Sequence, residues 1–98
     1  MYRNKSFDEH LAKELQSAKF ARGFLLDLMD GDDGFDLEEA LRQTIQRMGV
    51  KEFCVKAHLD MPNVMKFLKG TRKLKPETLD VFLKPFGLKT KLTVEKAS

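Results

Sequence analysis

The chain has 98 residues, 42% of them hydrophobic and 34% charged, with a formal charge of +3 and a single cysteine. That length suits one domain, 1–98, with a modest core, near the size at which a second copy often completes the buried surface. No apolar run approaches the roughly 20 residues that a membrane span needs, and the opening MYRNKSFDEH lacks the apolar stretch of a secretory signal. With Cys54 unable to form an internal disulfide, these features predict a cytoplasmic protein with no membrane partner, in which Cys54 is a small buried side chain. The charge is unevenly placed: residues 1–48 carry seven Lys/Arg and ten Asp/Glu, net −3, whereas 49–98 carry eleven and five, net +6.

Ser6 and Glu9 have the spacing of a capping box, and Leu11, Leu15, Ala18, Phe24, Leu25, Leu28 and Met29 follow at mostly helical intervals. The pattern predicts a helix over 7–17 and a second, bent or continuous with it, ending at Met29. The run DGDDGFD over 30–36 marks a loop. An EF-hand register starting at Asp30 would put Gly34 at an acidic position and Phe35 where glycine is required, so the loop is not a calcium site. Asp36 with Glu39 forms a second capping box, opening a helix that carries Ala40, Leu41, Thr44, Ile45 and Met48. His10 and His58 have no ligand-spaced companions, and no nucleophile–base set or phosphate loop is evident, so neither a cofactor nor an enzyme is expected.

After Gly49, two short helices flank a tight turn. Phe53, Cys54 and Ala57 make one apolar face, His58 stands at the turn, and Asp60 occupies an N-cap position. In the next helix, 61–69, Val64, Phe67 and Leu68 share one side, leaving Pro62, Asn63, Lys66 and Lys69 on the other. This is the outline of a helix-turn-helix reader of double-stranded DNA. Between Val64 and Pro76 lie Lys66, Lys69, Arg72, Lys73 and Lys75 with no acid, a field suited to a polyanion. Gly70 should end the helix in the left-handed conformation, and Pro76 should open another with Leu79, Phe82, Leu83 and Phe86 facing the core. Lys75 is an unfavourable N-cap, and a bound phosphate would reverse that cost. Pro85 and Gly87 should close the helix near Lys84, and the alternation of Leu88, Thr90, Leu92 and Val94 with polar residues predicts a strand over 88–95 whose partner is another chain.

The segment HLDMPNVMKFLKGTRKLKPETLDVFLKPFGL resembles the Xre (lambda-repressor-like) helix-turn-helix family, and the chain from Phe7 to Val94 resembles the HigA-like addiction-module antidote proteins. The resemblance implies an all-α lambda-repressor-like bundle, with an N-terminal helical part at 7–29, a helix-turn-helix core at 36–88 and a short C-terminal β-strand. It implies a dimeric transcriptional repressor that is the antitoxin of a toxin–antitoxin pair, with a small basic RelE-like ribonuclease as toxin. Three departures stand out: His58 replaces the usual turn glycine, Gly49 caps a motif helix in place of Ser or Thr, and no Gln or Ser begins the reading helix, so the family's common base contacts do not carry over. The base-reading set is therefore Met61, Pro62, Asn63 and Lys66, led by Asn63 and Lys66. Lys69, Thr71, Arg72, Lys73 and Lys75 are assigned to phosphates. The alternatives are a stand-alone repressor without a toxin and a protein-interaction module that has lost DNA binding.

Overall fold

The computed structural model describes residues 5–70 and 74–91, the side chains of 5–8 excepted. Six α-helices follow one another: α1 (Lys5–Glu14), α2 (Ala18–Met29), α3 (Leu37–Met48), α4 (Val50–Ala57), α5 (Met61–Leu68) and α6 (Pro76–Leu83), the last running into a 3-10 turn at Lys84–Phe86. Among the described residues no helix is long and apolar enough to cross a membrane.

The first boundary differs from the sequence expectation. α1 already includes Lys5 and Ser6, so Ser6 lies in its first turn and not at its N-cap. The break between α1 and α2 is made by Ser17, whose hydroxyl accepts from the Phe20 amide at 3.4 Å. Gln16 holds this corner against the rest of the chain, donating to the carbonyls of Ala12 at 2.9 Å and Met48 at 3.3 Å, while Lys56 donates to the Gln16 carbonyl at 3.0 Å.

The loop over 30–36 folds back on α2, with the Phe35 amide donating to the Leu28 carbonyl at 2.8 Å. Gly34 is required there, because a Cβ would collide with the carbonyl groups of Met29 and Asp30. Asp36 caps α3 as expected, its Oδ1 accepting from the Glu39 amide at 2.8 Å. The reciprocal half of the box is replaced: Glu39 turns along the helix to Gln43 at 3.0 Å and Arg42 at 3.5 Å.

α3 is the central helix and packs against α1, α2 and α4. Its buried face, Ala40, Leu41, Thr44, Ile45 and Met48, meets Leu15, Ala21 and Leu25 from the N-terminal helices. Thr44 is buried without a polar cost, since its hydroxyl donates to the Ala40 carbonyl at 2.8 Å. On the other side of the core four phenylalanines link α4, α5, α6 and the 3-10 turn. Phe53 lies 5.6 Å from Phe82 and 6.2 Å from Phe86, and Phe67 meets Phe82 edge-on at 5.0 Å between ring centroids. Such aromatic pairs add about 0.5–1.5 kcal/mol each beyond their buried area.

The strand expected over 88–95 is not seen. Residues 88–91 pair with no other segment, and residues 92–95 lie outside the described residues. The local reason is Asp80: its Oδ1 accepts from both the amide and the hydroxyl of Thr90, at 2.6 and 2.7 Å, so an α6 side chain takes up the backbone donor that a ladder would use. The bonds from the Thr90 amide, first, and from its hydroxyl, second, hold the Asp80 carboxyl below its ordinary range; desolvation pushes the other way more weakly, and Lys89 adds the least, in the lowering direction.

Candidate nucleic-acid interface

Gly49 separates α3 from α4 at φ 112°, a backbone setting that L residues rarely adopt, and any Cβ there would run into the Glu52 side chain. α4 then points Phe53, Cys54 and Ala57 inward. It ends in a Schellman motif. The Leu59 amide reaches back to the Cys54 carbonyl at 3.0 Å and the His58 amide to the Val55 carbonyl at 3.4 Å, with His58 itself left-handed at φ 55°, ψ 45°. Half-buried Leu59 packs on the core beside this turn, supplying the apolar contact that usually accompanies the motif. Cys54 is buried as expected. Desolvation, with the Asp60 carboxylate adding to it, pushes its thiol pKa up and away from the reactive thiolate.

Three residues after α4 the chain enters α5. Asp60 stands at the N-cap position in extended conformation, but its side chain makes no capping hydrogen bond, so the helix start is set by backbone and Pro62 alone. Val64 and Phe67 are fully buried and Leu68 half-buried, which fixes the rotation of the helix. Met61, Pro62, Asn63, Met65, Lys66 and Lys69 are consequently all exposed. Four of these are the expected base readers, Met61, Pro62, Asn63 and Lys66, and α5 brings them onto one solvent-facing surface. Met65, 38% exposed, shares that surface although periodicity alone left it unassigned.

α5 ends where Gly70 turns left-handed at φ 73°, with Lys69 as its C-cap. Lys75 stands at the N-cap of α6, exposed and without a side-chain cap bond. Pro76 has no amide proton, and the amides that follow it in the first turn have no helical acceptor by position. Of the five expected phosphate contacts, Lys69 and Lys75 are thus placed at the two ends of the α5–α6 connection. Thr71, Arg72 and Lys73 lie outside the described residues.

Sequence reasoning missed the residue that fastens α5 to the bundle. Arg42 on α3 donates through Nε to the Phe67 carbonyl at 2.8 Å, its guanidinium lies 4.7 Å from the Phe67 ring centroid, and Glu38 and Glu39 approach it at 3.6 and 3.5 Å. Its i, i+4 relation to Glu38 was visible in the sequence; its reach to a residue 25 positions away was not. Comparison of the chain with protein-family models, curated proteins and solved structures gives no match, so the functional reading rests on residues and geometry.

Proposed function

We propose that the chain binds double-stranded DNA with sequence preference, α5 entering the major groove, and acts as a dimeric helix-turn-helix repressor of the lambda-repressor-like type. The observation that carries this reading is the rotation of α5. Val64 and Phe67 are locked into the core, so Pro62, Asn63 and Lys66 face outward from a short helix that follows a three-residue turn. The sequence that continues from it, through Lys75, adds four more cations and no acid. Phosphate neutralisation by such a segment releases counterions and makes binding strongly salt-dependent.

The experiment is a selection from random duplexes, followed by affinity measurements on the selected and a scrambled site across a salt series. The selected site should bind at least about 10³-fold more tightly than the scrambled one, and log K should fall steeply and linearly with log salt. Equal affinity for both sites overturns sequence reading; no binding at low salt overturns DNA binding and leaves a protein-interaction module.

The resemblance to HigA-like antidotes supports an antitoxin role for the same repressor. The exposed acidic residues of the 30–36 loop, Asp30, Asp32, Asp33 and Asp36, suit a small basic RelE-like ribonuclease as partner. Co-expression with the product of the neighbouring reading frame tests it. A stable complex with a small basic protein is expected, and its absence makes the chain a stand-alone repressor.

A further inference from the structure

The outer face of α2 packs on nothing within the described chain. Ala21 and Leu25 point into the core, whereas Phe20, Gly23 and Asp27 run along the opposite side and, with Lys19, Phe24 and Ser17, line a shallow groove. Phe20 is 40% exposed and Leu26, on the flank of the same face, 47%. Gly23 sits in the middle of the helix, where glycine is unfavourable relative to alanine. A Cβ added to it would meet nothing within 4 Å, so packing inside the chain gives no reason for glycine at this position.

The geometry points to a second copy of this chain as the occupant, its α2 lying antiparallel across Gly23. The order of residues along the face is what selects this partner. Phe20 and Leu26 are each three positions from Gly23, one on either side, and Lys19 and Asp27 are each four positions from it. A two-fold axis through Gly23 reverses the second helix, which sets Phe20 level with Leu26 of the second copy and Lys19 level with its Asp27. The symmetry repeats both contacts, as an isologous interface requires. Lys19 and Asp27 are exposed, and among the described residues neither has an ion pair within the chain. A parallel arrangement would oppose lysine with lysine and aspartate with aspartate. Glycine at the crossing point lets the two backbones approach, which gives the otherwise unfavourable Gly23 a use.

Sedimentation equilibrium of the full chain without DNA tests this. The unmodified chain should have the mass of two copies. Lys19→Glu alone sets a carboxylate against Asp27, and Asp27→Lys alone sets an ammonium against Lys19, at both contacts. Each should raise the dimer dissociation constant at least about tenfold. An equimolar mixture of the two variants offers a heterodimer in which each contact pairs a carboxylate of the Lys19→Glu chain with an ammonium group of the Asp27→Lys chain, so mixing should restore the dimer. The double variant Lys19→Glu with Asp27→Lys, carried on one chain, restores an opposite-charge pair at both contacts and should dimerise with the strength of the unmodified chain. Circular dichroism guards against misfolding, and both side chains are on the surface. A monomeric unmodified chain up to millimolar concentration, single variants that dimerise unchanged, or a double variant no tighter than the single ones would each overturn the assignment. Because no DNA enters the assay, its outcome and that of the DNA-binding reading are independent.

Discussion

Arg42 grips Phe67 twice, donating to its carbonyl oxygen at 2.8 Å and lying over its ring at 4.7 Å from the centroid. The carbonyl belongs to the last turn of α5, where helical amide donors run out and the dipole is negative, so a cation is favoured there. The same residue's ring is buried against Phe82. One arginine thereby ties the outward-facing helix to α3 through both backbone and side chain. Its alignment against solvent depends on that tie as well as on Val64 and Phe67.

Arg42→Ala should lower unfolding free energy by about 2 kcal/mol, combining a charge-assisted hydrogen bond, a cation–π contact and a buried aliphatic stem. The loss stays moderate because the Phe67 carbonyl keeps the Gly70 amide as a partner at 3.0 Å. Arg42→Lys should recover part of the loss, since an ammonium can approach the ring but lacks the guanidinium fork. Urea denaturation measures both, and a change below about 0.5 kcal/mol for alanine would remove Arg42 from the account of how α5 is held.

His58 is the sole non-glycine residue at positive φ among those described. A left-handed setting costs an ordinary L residue roughly 1–2 kcal/mol, less for histidine than for a β-branched residue. His58→Gly should therefore leave stability unchanged or raise it by up to about 1 kcal/mol, and His58→Val should lower it by about 1–2 kcal/mol. The pair of melting curves checks this. A valine variant as stable as the parent would mean that the turn relaxes out of the Schellman geometry.

Much of the helical layout was legible because it is written locally. Gly49, Gly70, Pro76 and Gly87 punctuate the second half, and each does in the structure what its backbone chemistry demands. The exposed face of α5 follows from three apolar residues at helical spacing. What could not be read involves partners far apart in sequence. The end of a first helix at Ser17 was legible, but its role as the N-cap of α2 was not. Gln16 and Arg42 find carbonyls 32 and 25 residues away. The period of two after Gly87 is a real alternation, yet a strand needs a ladder, and Asp80 supplies a competing acceptor that periodicity does not show.

Substitutions on and beside α5 should separate reading from gripping. Asn63→Ala and Lys66→Ala should each cost roughly 1–3 kcal/mol on the selected site and relax preference at one base pair, Asn63 at an adenine and Lys66 at a guanine. Lys69→Ala and Lys75→Ala should instead weaken selected and scrambled sites alike and reduce the log–log salt slope by about one each. Base-preference profiles with and without each side chain distinguish the two classes. An Asn63→Ala profile identical to the parent's would take Asn63 out of the reading set.

The Asp80–Thr90 tie gives the end of the described chain an acid-sensitive contact. Its carboxylate is favoured by the Thr90 amide first and the Thr90 hydroxyl second, so the folded pKa lies below the ordinary 3.8. A group whose pKa is depressed by folding contributes stability that is fully present above its unfolded value and is lost as pH falls through the folded value. The contact should therefore persist unchanged from neutral pH down to about pH 4 and open below it. Thr90→Val removes the hydroxyl while keeping the amide, and should raise the Asp80 pKa only part of the way back. Asp80→Asn removes the charge, and with it the acid dependence of the Thr90 amide signal. Carbon-13 titration of the Asp80 carboxyl alongside the Thr90 amide shift reads both effects. A titration midpoint at or above the ordinary value in the parent protein would show that residues 88–91 are not held to α6 by this carboxylate in solution.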